Sequence, residues 1–149
     1  MSDSITRDIF IDAPPARVWA AISDAGEYGR WFNCRLKGAF ATGALVSGEI
    51  TEPGHEGTPF WLQVEEMVAP ERFSFRWPWA EAAPEGALEE TTLVTFTLAP
   101  EGAGTRLTVT ESGFDAVPEG ERARRLKDNA TGWEIQCARI KAHVEPHVA

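Results

Sequence analysis

The chain has 149 residues and a mass of 16.4 kDa, which suits one domain over 1–149. Its 43% hydrophobic and 25% charged residues are the composition of a core-forming soluble protein, and exclude a disordered chain. Fourteen Lys and Arg against 23 Asp and Glu leave a net charge of -9, which repels polyanions, so the expected partners include no nucleic acid and no membrane.

The N-terminus from Met1 to Asp8 has no apolar stretch of signal-peptide type. Ser4 to Ile11 then reads as an opening strand. Asp12-Ala13-Pro14-Pro15 reads as a helix start, with an Asp cap and prolines that the first turn tolerates. Val18, Trp19 and Ile22 give this helix a short apolar face, and Ser23-Asp24 ends it. Tyr28 to Phe32 suggests a second short helix carrying Trp31. The longest uncharged run, Gly38 to Gly48, is far below the ~18 apolar residues of a membrane span.

Five strands follow on β-former content and turn punctuation: Leu45 to Thr51, Phe60 to Met67, Arg72 to Trp77, Thr91 to Ala99 and Thr105 to Ser112. Phe73, Phe75 and Trp77 alternate with Ser74 and Arg76. Val94, Phe96 and Leu98 alternate with Thr95 and Thr97. This is the pattern of an antiparallel sheet with one face in a core. Glu52 to Gly57 and Pro78 to Glu90 read as exposed loops, and Pro100 to Gly104 as a hairpin.

The period changes near the C-terminus. Leu126, Ala130, Trp133, Cys137, Ile140 and Val144 recur at alternating spacings of four and three, with charged residues between them. That is a long amphipathic helix from Arg122 to about Val144, roughly 34 Å at the standard rise. One long helix after a run of antiparallel strands requires a curved sheet to cover its stripe. The predicted fold class is therefore α+β, a helix-grip arrangement with two short helices after the first strand.

Ile11 to Trp19, Trp31-Phe32, Glu66 to Trp77, Thr91 to Leu98, Gly104 to Phe114 and Gly132-Trp133 together resemble the START-related, birch-pollen-allergen-like (SRPBCC) superfamily. The segment Glu66 to Trp77 is similar to the branch named after the activator of the heat-shock-protein-90 ATPase. The resemblance covers nearly the whole chain and implies a sheet wrapped on a helix with a pocket between them. The superfamily's scaffold supports lipid binding, cyclisation, hydration and protein–protein roles, so the resemblance speaks for fold more than for function.

In that arrangement the positions facing the pocket include Trp31, Phe60, Phe75, Trp77, Phe96, Val109, Trp133 and Cys137. For most of these rings plain core packing is the favoured reading, although a core so rich in rigid rings is hard to pack without voids. Glu111 shares strand parity with Leu107 and Val109, so it is expected to face inward, as a polar anchor at the pocket mouth or a general base. A bulge at Ser112-Gly113 would instead carry it to water, and that reading is favoured. His143 and His147 are four apart but lack a third ligand and sit beside Pro146, so frayed terminal histidines and no metal are expected. Cys34 and Cys137 form no motif and read as small buried hydrophobes of a reduced, cytoplasmic protein. Glu81, Glu85, Glu89 and Glu90 read as a solvated loop. No cofactor is implied.

Three functions follow in order. The first is a non-catalytic binding module for a small hydrophobic or amphipathic ligand between sheet and C-terminal helix. The second, from the resemblance, is a chaperone-associated or other protein-interaction domain. The third is a cyclase- or hydratase-type enzyme using a pocket carboxylate such as Glu111.

Overall fold

A computed structural model describes residues 4–80 and 83–145. The strand β1 (Ile5–Ile11) is followed by helices α1 (Pro15–Ser23) and α2 (Ala25–Phe32). Six further strands come next: β2 (Cys34–Lys37), β3 (Leu45–Ile50), β4 (Pro59–Val68), β5 (Arg72–Pro78), β6 (Thr91–Glu101) and β7 (Gly104–Ser112). The helix α3 (Glu119–Val144) closes the chain. The strands form one antiparallel, curved sheet in the order β1-β7-β6-β5-β4-β3-β2, with α3 packed against it. The helix-grip fold class is thus present.

Two details of the helix starts differ from the expectation. Asp12 does not cap α1; Pro14 occupies the N-cap with Pro15 at the first helical position, and the Asp12 amide donates to Glu145 Oε2 at 2.8 Å. A proline at the first helical position has no N–H to leave unpaired and a preset φ, and the Arg17 amide donates to Pro14 O at 2.9 Å in place of a side-chain acceptor. Asp24 both ends α1 and starts α2: its amide donates to Ala20 O, and its carboxylate accepts from the Glu27 amide at 2.9 Å. The second helix therefore begins at Ala25 rather than Tyr28.

The strand β2 had no counterpart in the sequence reading. It is four residues long and alternates Arg35 and Lys37 with half-buried Leu36, the composition of an edge strand shielded by charge. Its partner β3 presents Gly48 opposite Leu36. A Cβ at Gly48 would lie 1.8 Å from Arg35 O, so only glycine permits this pairing. The helix α3 starts three residues earlier than expected, after an N-cap at Pro118, and places Glu119 and Glu121 in the first turn, where acidic groups complement the helix dipole.

The core lies between the concave face of the sheet and the helices. Phe73, Phe75, Phe96, Leu107 and Val109 of the sheet are fully buried, as are Val18 and Ile22 of α1 and Ile140 of α3. The rings of Tyr28, Trp31, Phe73, Phe75, Phe96 and Trp133 form a continuous aromatic cluster with centroid separations between 4.5 and 6.4 Å. Offset and edge-on pairs at these distances add to the burial energy of each ring.

Three helices meet at a polar trio. Glu27 of α2 accepts from Arg17 Nη1 of α1 at 2.8 Å and lies 2.7 Å from His143 Nε2 of α3. The expected frayed His143 is instead held in this pair, because α3 stays regular to Val144; His147 lies outside the described residues. Burial raises the Glu27 carboxyl, but the hydrogen bonds from His143 and Arg17 outweigh it and leave the group below the ordinary carboxylate value. A carboxyl depressed in the folded state contributes stability above its unfolded value, and that contribution disappears as pH falls through the folded value. Wild type should therefore exceed Glu27→Gln in stability at neutral pH. The gap should close as pH falls below about 4.5. Urea midpoints measured from pH 7 to pH 3 check this; a constant gap would refute it.

Trp133 is 2% exposed at the centre of the α3 stripe. Trp133→Ala should cost ~3–5 kcal/mol, the usual range for a core aromatic. Chemical denaturation gives the value, and a loss below about 1 kcal/mol would mean that the stripe is not buried.

Candidate functional site

Glu111 on β7 is fully buried. It faces Val94 of β6 across the ladder without a bulge, so the inward parity holds and the favoured reading, a carboxylate reaching water at Ser112-Gly113, is wrong. The ladder continues to Ser112, opposite Leu93, and Gly113 takes up the change of direction only afterwards, with φ 86°. A buried carboxylate needs hydrogen bonds on both oxygens. Trp133 Nε1 donates to Oε1 at 2.9 Å. Trp77 Nε1 and the Thr92 hydroxyl donate to Oε2 at 3.0 and 2.5 Å. The Asn129 amide lies 3.2 Å from both oxygens. β5, β6, β7 and α3 thus meet at one side chain, and the indoles of Trp77 and Trp133 stack at 5.5 Å above it.

Beyond this knot lies a cleft of about 660 Å³. One wall is aromatic, with Phe32 from α2, Phe60 and Trp61 from β4, and Trp77 and Trp79 from β5 and the segment after it. The other wall is a face of α3 carrying Arg125, Asn129, Gly132, Gln136 and Arg139, with the exposed Ile135 beside them. Glu52, His55 and Glu85 stand at the edges on the loops. Trp61 has the opposite parity to Leu62 and is buried outside the main core, its Nε1 donating to Ala83 O at 3.3 Å. Glu52 closes one end: it accepts from Arg139 at 3.0 Å and from the Asn33 amide. The Arg139 guanidinium and the Asn33 amide hold the Glu52 carboxyl below its ordinary range. Asn33 can take the left-handed conformation, φ 67°, that ends α2 and brings it there.

The sequence matches, over residues 12–145, the family described as "Activator of Hsp90 ATPase homolog 1-like protein". The chain belongs to that family. No curated protein matches it. Among solved structures, it is similar to DynU16 of the dynemicin biosynthetic locus, with TM-score 0.74 and 24% identity over 96% of this chain and 47% of that one. It thus spans about half of DynU16. The Aha1 dimer from Colwellia psychrerythraea gives TM-score 0.73 and 18% identity over 95% and 96% of the two chains. BH1534 from Bacillus halodurans gives 0.72 and 25% over 97% and 100%. These likenesses establish the fold that the activator-like family shares.

Within this activator-like fold, the residues expected at the pocket separate into two groups. Phe60 and Trp77 line the cleft. Trp31, Phe75, Phe96, Val109, Glu111, Trp133 and Cys137 are buried and line none of it. The space between sheet and α3 is filled at Phe96 and Trp133, and the opening lies further out, between α3 and the β4–β5 end of the sheet. The sequence reading missed Phe32, Trp61 and Trp79 and the whole α3 wall. Its signal was present: 125, 129, 132, 136 and 139 repeat the four-three spacing of the buried stripe on the adjoining face.

Cys34 and Cys137 are buried as expected, and burial pushes their thiols up to about 12 and about 11, away from nucleophilic use. Among the described residues no cluster of metal-ligating side chains is found, and no helix is long and apolar enough to cross a membrane. Of the loop glutamates, Glu85 is drawn to the cleft, and Glu81 lies outside the described residues.

Glu111→Gln replaces an acceptor with an NH₂ that faces indole N–H groups. It should cost about 1–3 kcal/mol for the donors left unpaired. The indole N–H resonances of Trp77 and Trp133 should shift together. Unchanged stability and unshifted indoles would show that the carboxylate does not hold them.

Proposed function

We propose that the chain is a non-catalytic binding module, and that its ligand is a small amphipathic molecule seated in the cleft beside α3. The observation that carries this reading is the cleft itself. Its volume of about 660 Å³ falls within the roughly 300–1,000 Å³ of small-molecule sites, and an aromatic wall faces one that is polar except for Ile135. The apolar part of a ligand would stack on Trp77, Phe60 and Trp79. Its polar part would meet the amides and guanidinium groups of α3.

The enclosure of Glu111 weighs against the cyclase or hydratase reading. Its oxygens already accept from Trp77, Thr92, Asn129 and Trp133. A substrate proton would reach it only after those bonds break. The family description supports the chaperone-associated reading. On that reading the purified chaperone would bind this chain, and small ligands would leave its stability unchanged.

A ligand that binds only the folded state raises stability by ~2.7 kcal/mol at a hundredfold excess over Kd. Fatty acids, sterols and ring compounds should therefore include members that raise Tm and quench the cleft indoles. Phe60→Ala is the probe, since Phe60 lines the cleft whereas Phe96 is in the core; it should weaken such a ligand at least about tenfold by removing a stacking face. No thermal shift and no quenching across that panel would end the binding reading.

A further inference from the structure

Most of the 13 glycines have a local reason. Gly38, Gly43, Gly54, Gly57, Gly86, Gly102 and Gly113 have positive φ. At Gly29, Gly48 and Gly104 a Cβ would come within 2.6 Å of a backbone oxygen. Gly26 and Gly120 sit in the first turns of α2 and α3, where the helix tolerates them. Gly132 fits none of these classes. It lies in the middle of α3, in ordinary helical conformation, and a Cβ there would meet nothing within 4 Å. Glycine is the poorest helix former after proline, so the fold would be better served by alanine.

The open space over Gly132 is the cleft. On the same face, three residues before and four after, stand Asn129 and Gln136, which also line it. The next residue, Trp133, carries the indole stacked on Trp77, and Trp77 belongs to the facing aromatic wall. The amide nitrogen of Asn129 is engaged by Glu111, which leaves its carbonyl oxygen for another donor. Gln136 Oε1 is buried and has no partner. The bare backbone at Gly132 thus forms a flat seat between two amide side chains.

We infer that Gly132 is a specificity-determining residue whose missing side chain admits a planar ring between α3 and the Trp77 wall. The inference rests on the binding reading above. It adds that the ligand is flat and ring-bearing, with polar groups at the edge that meets Asn129 and Gln136. It also means that the helix gives up stability at Gly132 for access, because an unfilled cleft would place no limit on side-chain size at that position.

The test uses 1-anilinonaphthalene-8-sulfonate as the planar probe. Its emission and the Gly132 amide resonance are followed in wild type, and its emission and Tm in Gly132→Ala, Gly132→Leu and Gly120→Ala. Wild type should bind saturably with the Gly132 amide shifted. Gly132→Ala should raise Tm by about 2–4 °C, the span of a helix-interior glycine replaced in a chain of this size, and weaken the probe at least about tenfold. Gly132→Leu should abolish binding without lowering Tm. Gly120→Ala, with an equally open Cβ away from the cleft, should leave the affinity unchanged. Saturable wild-type binding that Gly132→Ala and Gly132→Leu do not weaken overturns the role of Gly132 and leaves the binding reading standing. A lower Tm in Gly132→Ala overturns it as well, since the fold would then require the glycine. No saturable binding to wild type and an unmoved Gly132 amide would overturn both.

Discussion

A carboxylate taken out of water must recover its hydration from the protein, and Glu111 does so with side chains from three other elements. That requirement sets the position of α3. An apolar stripe on a helix tolerates sliding and small rotations over a greasy surface, since area burial has no direction. Hydrogen bonds do have direction. The Trp133 indole N–H must reach Oε1 while the Asn129 amide, one turn earlier, stays within reach of both oxygens. Only one axial and rotational setting of the helix meets both conditions.

The cleft inherits its shape from that setting. Trp77 and Asn129 each belong to the Glu111 knot and to the cleft lining. The aromatic wall and the α3 wall are therefore held at a fixed separation by groups buried behind them. The rest of the aromatic cluster completes the support. Phe32, Phe60 and Trp77 contact one another at 5.3 to 6.1 Å, so the cleft surface is backed by rings rather than by flexible chains. The ion pairs matter less to stability. Glu27 with Arg17 and His143, and Glu52 with Arg139, tie helix to helix and loop to helix at partly exposed positions, where each contributes modestly.

Much of the fold was legible in the residues. The two-residue alternation of Phe73, Phe75 and Trp77 and the four-three spacing from Leu126 to Val144 named a half-buried sheet and a long helix. What escaped was local. β2 is too short and too charged to show a period, and the Pro14-Pro15 start of α1 left Asp12 without the capping role its residue type suggests. For Glu111 the parity was right and the competing bulge wrong: Gly113 comes one residue after the strand has already fixed the side chain inward.

The sequence by itself determined which faces are apolar, because strand and helix periods are properties of neighbouring residues. Strand parity offered an inward face for the Glu111 carboxylate but left the bulge at Ser112-Gly113 open, and the unbroken ladder decided between them. Only the tertiary structure decided what that carboxylate meets, since Trp77, Thr92, Asn129 and Trp133 are up to 34 residues away from it. It also decided where the empty space lies. Whether a ring fills a core or walls a cleft depends on the distance between elements, and no local pattern encodes that distance. Phe96 and Phe60 read alike as inward aromatics, and only the packing of α3 against the sheet separates the filled position from the open one.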